Sequence, residues 1–286
     1  MKGYAVDEFP LTAFSLEERI VDMVAVEQLA NELIKAEQTK KPIAPFTERF
    51  PAISLPDAYQ IQLNYVEQKK AQGASVVGKK IGATSKAIQS MFGVNQPDYG
   101  HLFDTMMYAD GDTVPLEKLL QPKVECEIAF VLKEDLIGPN ITALDVIRAT
   151  DYIVPAIEII DSRIEDWKIR FEDTVSDNGS SALVVMGTKP TKLEGLDLSC
   201  LGMNLYQNGK YLESATGAAV LGNPIYAIAW LANALSEYDV SLFAGEIILT
   251  GAFTAALSIQ DGDTFTAEFA HLGSVSASFS NGGNLE

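Results

Sequence analysis

The sequence predicts an α+β fold, a helical first quarter followed by many short strands that do not alternate regularly with helices. Three observations carry this. The longest helical patterns lie at 15–38 and 54–73, short apolar runs separated by Gly, Asp and Pro begin at Val76, and two further helical patterns interrupt those runs.

Each element follows from local chemistry. Residues 1–14 read as an irregular arm. In "SLEERIVDMVAVEQLANELIKAEQ", Ser15 and Glu18 have capping-box spacing, and Val26, Leu29, Ala30 and Leu33 recur on one helical face. A Pro-punctuated connector leads to a second helix after Ser54, with Pro56 in its first turn and Gly73 at its end. Strands are expected in "SVVGKKIGA", "KVECEIAFVL", "YIVPAIEIID", "SALVVMGT", "LGMNLYQNGKYLES", "AGEIILTGAF" and "SVSASFS". Asn208-Gly209 tolerates positive φ at both central positions of a hairpin turn. Thr142 caps "ALDVIRATDY", and Asn223 with Pro224 opens the last helix. With no repeat or Gly/Ser linker, the simplest division is a helical N-terminal segment, 1–75, and one functional domain, 76–286.

The 286 residues carry 39 Asp and Glu against 21 Lys and Arg, a net charge of −18. That excess repels nucleic acid and anionic membranes, but a local cation can still draw a small anion into one pocket. Two cysteines, Cys126 and Cys200, form no disulfide framework and fit a reducing cytoplasmic setting. The N-terminus lacks the apolar core of a signal peptide, and no uninterrupted apolar run reaches the roughly 20 residues of a membrane span. The chain reads as a soluble protein.

His101 and His271 are the only histidines, and no nucleophile elbow, P-loop or dinucleotide fingerprint occurs. Carboxylates and lysine remain. In "KVECEIAF", alternation puts Glu125, Glu127 and Ala129 on one face and Val124, Cys126, Ile128 and Phe130 on the other. The pair alone fits a half-solvated strand as well as a cation site. Glu158 lies in "IVPAIEIID", apolar on both faces, so its carboxylate needs a partner in a buried setting. Arg163 is one candidate partner. A cation shared with Glu125 and Glu127 is the other, and three carboxylates suit Mg²⁺ or Mn²⁺ rather than zinc. In "VVGKKIGATS", Gly78, Lys80 and Gly82 share a face that backbone or ligand can approach closely. A desolvated lysine there has a lowered pKa and moves protons near neutrality, whereas a solvated edge lysine does not.

"GKKIGATSKAIQ", "GVNQPDYGHLFDTM", "QPKVECEIAFVL", "PAIEIIDSRIEDWKI", "DTVSDNGSS" and "LTGA" closely resemble the 2-keto-4-pentenoate hydratases of the fumarylacetoacetate hydrolase superfamily. The resemblance runs from about residue 20 to the C-terminus. It implies a mixed β-roll with flanking helices, a divalent metal, Mg²⁺ or Mn²⁺, and a homo-oligomer. Glu125, Glu127 and Glu158 match the metal ligands, Lys80 (not Lys79) the acid/base lysine, Asp98 its partner, and Ser180 a serine near the substrate. The motif around Ser180 reads Asp177-Asn178-Gly179-Ser180, with Gly179 where the family usually has Ala.

The resemblance implies hydration of 2-hydroxypenta-2,4-dienoate to 4-hydroxy-2-oxopentanoate in aromatic meta-cleavage catabolism, beside a pathway aldolase or decarboxylase. The rivals are a 4-oxalocrotonate decarboxylase, a hydratase of a longer dicarboxylate, an acylpyruvate hydrolase, and a silent partner subunit of a decarboxylase. "DWKI" with its acidic surroundings favours the hydratase, and a hydrolase would need a histidine base.

Overall fold

The computed structural model describes residues 23–282, so the expected arm at 1–14 and the Ser15–Glu18 cap lie outside the described residues. The helices α1 (Met23–Thr39), α2 (Phe46–Arg49) and α3 (Leu55–Ala71) come first. Next are β1 (Val76–Gly82), α4 (Lys86–Phe92), β2 (Asp98–Phe103), β3 (Met107–Ala109), β4 (Thr113–Pro115) and β5 (Lys123–Leu132). The middle of the chain holds α5 (Ala143–Ala149), β6 (Thr150–Ile160), α6 (Phe171–Ser176) and β7 (Ser181–Met186). After the hairpin of β8 (Gly202–Gln207) and β9 (Lys210–Thr216) comes α7 (Pro224–Leu235). The chain ends with β10 (Ile247–Leu249), β11 (Leu257–Ser258), β12 (Thr264–Phe269) and β13 (Gly273–Ser280).

The expected caps form. Ser54 accepts from the Asp57 amide while the Asp57 carboxylate accepts from the Ser54 amide, and Thr142 and Asp145 repeat the arrangement. Asn208 and Gly209 take φ 53° and 73°, the two positive values the hairpin turn requires. The sequence reading lacks β2, α4, α6 and β12, each of six or seven residues.

An eight-stranded mixed sheet runs β2-β1-β10-β5-β6-β7-β3, with β11 also on β5, and a five-stranded sheet runs β4-β13-β12-β8-β9. Alternation along β5 and β6 sorts their side chains into two cores. Val124, Cys126, Ile128, Phe130, Ile157 and Ile159 join the core shared with Phe265, Val275 and Ala277 of the second sheet. Ala129, Val154 and Ala156 face the other way, against Leu29 and Leu33 of α1 and Ile61 and Tyr65 of α3. Gly217–Tyr238 is the one helical stretch among the described residues long and apolar enough to cross a membrane. Its α7 portion buries Ala227, Ile228, Leu231, Ala232 and Leu235, as the central helix of a globular core does.

Gln62 of α3 ties the helices to the sheet. Its Nε2 donates to the carbonyls of Tyr99 and Val175, both at 2.8 Å, which leaves Oε1 to accept from the Nδ1–H of His101 at 3.2 Å. Burial, with Lys79 and Lys70 adding to it, pushes the His101 pKa from 6.5 down to about 3. The folded protein therefore refuses a proton that the unfolded chain accepts. The stabilisation is complete above pH 6.5 and falls as pH drops toward 3.

Two predictions follow from this frame. In urea titrations, His101→Gln flattens the acid limb, removing a loss of about 2 kcal/mol at pH 5; parallel pH slopes would refute the assignment. A Cβ at Gly78 would sit 1.9 Å from the Ile247 carbonyl oxygen, so Gly78→Ala breaks the β1–β10 pairing. The cost is about 4 kcal/mol or insolubility, read as a lost or sharply lowered thermal transition.

Candidate active site

Glu125 of β5 lies directly opposite Glu158 of β6 in the antiparallel register, and Glu127 lies opposite the small Ala156. All three carboxylates thus point off one face of the strand pair. One oxygen from each comes within 4.8 Å of the others, with Glu127 and Glu158 buried and Glu125 half-buried. Like charges directly opposite on a strand pair repel, so this convergence is unfavourable unless a cation joins it. Arg163 does not supply it. Its Nε donates to Asp177 Oδ1 at 2.5 Å and its backbone N–H to Asp177 Oδ2 at 3.0 Å, so the expected Arg163–Glu158 alternative is replaced by an Arg163–Asp177 pair. Asp177 leads into the tight turn that carries Ser180, and its Oδ2 also accepts from the Ser162 hydroxyl at 3.1 Å.

Lys80 reaches the carboxylates. Ile81 packs between the sheets, so Lys80 faces the opposite way, toward the glutamates. Its Nζ lies 3.4 Å from Glu158 Oε2 and donates to the Gly179 carbonyl at 3.1 Å. Lys79 turns away and pairs with Glu246 at 2.5 Å. The glycines beside Lys80 make the approach possible. A Cβ at Gly82 would lie 2.0 Å from Asp98 Oδ1 and 3.3 Å from Lys80 Nζ, so the missing methyl is what lets Asp98 and Lys80 share this space.

The electrostatics correct one expectation. Burial works to lower the Lys80 pKa, but Glu158, Asp98, Glu125 and Glu127 outweigh it and hold the ammonium above its ordinary value. Burial, and then the neighbouring glutamates, push Glu127 well up, while Gly251 donates its amide to Glu127 Oε2 at 2.7 Å. Burial also raises Asp98, against the pull of Lys80. Glu127 Oε1, both Glu158 oxygens and Asp98 Oδ1 are buried without a hydrogen-bond partner among the described residues. Orphaned carboxylate oxygens converging on one point fit a hard divalent cation, which takes oxygen ligands.

A cavity of about 500 Å³ opens onto this cluster, lined by Lys80, Asp98, Glu125 and Ser180 on its polar side. Ile88, Met91, Phe92 and Ile169 line its apolar side. Ser180 Oγ lies 3.4 Å from Asp177 Oδ2. Asn178, Gly179 and Ser180 all take φ near 60°, and Asn178 bonds both the amide and carbonyl of His101 to hold that turn against β2. Neither His101 nor His271 lines the cavity. Lys123 and Trp167 do; Trp167 enters the sequence reading only within "DWKI" and Lys123 not as a site residue, although the alternation that aligns Glu125 and Glu127 places Lys123 on the same face.

Residues 57–280 match the family model "Fumarylacetoacetate (FAA) hydrolase C-terminal". The chain is 46% identical over 253 residues to a 2-keto-4-pentenoate hydratase of Paraburkholderia xenovorans (strain LB400), covering 88% of this chain and 94% of that one. It is 41% identical over 257 residues to a 2-oxo-hept-4-ene-1,7-dioate hydratase of Escherichia coli, covering 88% and 96%. A solved 4-oxalocrotonate decarboxylase from Pseudomonas putida G7, complexed with magnesium and adipate, superposes with a TM-score of 0.89 at 41% identity, over 91% of this chain and 99% of that one. That enzyme is also solved with calcium and acetate. Divalent cations thus accompany structural neighbours, in keeping with the carboxylate cluster here. By sequence, by fold and by the matched model, the chain belongs to the fumarylacetoacetate hydrolase family, within its 2-keto-4-pentenoate hydratase branch.

Proposed function

We propose that this protein is a hydro-lyase that converts 2-hydroxypenta-2,4-dienoate to 4-hydroxy-2-oxopentanoate, with a divalent cation on Glu125, Glu127 and Glu158 and proton transfer through Lys80 and Asp98. The observation that carries the reading is a buried ammonium set 3.4 Å from one member of an all-carboxylate cation cradle, at the end of a cavity with an apolar wall. The named activity of the 46%-identical relative supports the substrate. When bound, Mg²⁺ or Mn²⁺ supplies Lewis-acid polarisation of the substrate's carboxylate and 2-oxo oxygens.

The chain's own groups do the rest. Lys80 Nζ delivers a proton to C5 of the dienol and recovers one from the 2-hydroxyl, so formation of the 2-oxo-3-enoate is proton-neutral. Asp98, buried with its Oδ1 free of hydrogen bonds, acts electrostatically on the ammonium and helps hold it charged until that exchange. Water then adds to C4 and C3 takes the second proton. Ser180 stands on the cavity wall within reach of bound substrate, and Ile88, Met91 and Phe92 receive the hydrocarbon end.

The decarboxylase reading has an observation of its own, the 0.89 TM-score to a 4-oxalocrotonate decarboxylase, since decarboxylation and hydration draw on the same enolate stabilisation. Acylpyruvate hydrolysis loses ground, because no histidine faces the cavity. The reading extends to a cytoplasmic homo-oligomer whose residues 76–286 are the catalytic unit behind the helical segment 1–75, working beside a pathway aldolase or decarboxylase.

With purified protein and Mg²⁺ or Mn²⁺, enzymatically generated 2-hydroxypentadienoate loses its dienol absorbance and 4-hydroxy-2-oxopentanoate accumulates. Inertness toward that substrate, with CO₂ release from 4-oxalocrotonate, would overturn the hydratase reading in favour of the decarboxylase. Inertness toward both would leave the silent-partner subunit. Glu158→Gln abolishes tight Mn²⁺ binding by calorimetry and the activity that depends on it, in a folded protein; unchanged Mn²⁺ affinity would remove the cation site. Lys80→Ala slows ketonisation of the dienol about 10²-fold or more, whereas Lys79→Met changes thermal stability and leaves turnover largely intact. The reverse pattern would reassign the acid/base.

A further inference from the structure

Lys123 opens β5 two residues before Glu125, on the same face of the strand, and both line the cavity. Its ammonium lies 4.1 Å from the ring centroid of Trp167. The indole is held in place by its Nε1–H, which donates to the Gln121 carbonyl at 3.0 Å. Gln121 also donates its side-chain amide to the carbonyls of Ser162 and Ile164, clamping the Trp167 segment to the start of β5. Asp166 and Trp167 have φ of 56° and 55°, a left-handed conformation that costs roughly 1–2 kcal/mol per non-glycine residue. Backbone strain that presents an aromatic face beneath a cavity lysine points to a role beyond packing.

The charges say what that role is. Three glutamates against one dication leave one net negative charge, an unfavourable setting for an anionic substrate. Lys80 sits beside Glu158, and the proposed reaction occupies it with the protons exchanged at C5 and at the 2-hydroxyl. Lys123 is the other cavity cation near the cluster, acting electrostatically on Glu125. Lys123, Glu125 and Glu127 follow one another from the half-buried to the buried end of one strand face, so Lys123 stands at the outer side of the cradle, where a 2-oxo acid bound at the glutamates presents its carboxylate.

We infer that Lys123, fixed on the face of Trp167, is the anchor for the C1 carboxylate of the substrate and so selects 2-oxo acids over neutral analogues. This rests on the reading of the cavity as a 2-oxo acid site. The assay is therefore a binding titration that holds whichever reaction the protein performs. Trp230→Phe, remote from the cavity, leaves Trp167 as the sole indole, and its emission reports binding of 2-oxopentanoate or of the neutral 2-oxopentanamide with Mg²⁺ present. Lys123→Met weakens 2-oxopentanoate about tenfold or more, as loss of a charge-assisted contact does, and leaves the amide unchanged. Lys123→Arg restores most of the affinity, and in turnover the loss falls on KM rather than kcat. Equal weakening of acid and amide, or no weakening of either, overturns the inference. So does a loss confined to 2-oxohexanedioate, which would place the recognised carboxylate at the far end of a longer substrate. Intact carboxylate selectivity without dienoate turnover would instead count against the hydratase reading alone.

Discussion

The structure is organised around unbalanced negative charge. Glu125, Glu127 and Glu158 converge with Asp98 nearby; among the described residues Lys80 is the buried cation that meets them, at Glu158, and several of their oxygens have no hydrogen-bond partner. Leaving such groups in a low-dielectric interior costs several kcal/mol each unless a cation joins them. The glutamates sit on two long paired strands of 10 and 11 residues, two cores grip that pair from both faces, and glycines at 78 and 82 admit backbone and carboxylate where a methyl would collide.

That frame was legible in proportion to how strongly alternation constrains a residue. The facing of Glu125, Glu127 and Cys126 follows from period two alone, and Glu158 stood out because both faces of its strand are apolar. The choice of Lys80 over Lys79 agrees with where β1 puts Ile81, but residue pattern alone allowed either lysine to turn inward. Capped helices and the Asn-Gly hairpin were readable because their signals are short-range hydrogen bonds and φ preferences.

What escaped depends on contacts between distant segments. Nothing local to Arg163 announces that Asp177 would claim it, or that Gln62 would meet His101 across a helix–sheet boundary. The direction of the Lys80 pKa escaped for the same reason. Burial is visible in a sequence, whereas four carboxylates arriving from β2, β5 and β6 are not. Trp167 joins Lys123 through a strained turn that no periodicity describes.

Gly179 gives this chain a property that the family's usual alanine would limit. A methyl at that position would stand 3.0 Å from Lys80 Cδ, pressing on the middle of the side chain rather than on its charged tip. Without it, the lysine's aliphatic stem passes close under the turn, and Nζ donates to the Gly179 carbonyl. The residue that yields room for the methylene chain therefore also supplies the carbonyl that seats the ammonium beside Glu158, so one position sets both the path of the lysine and its end point.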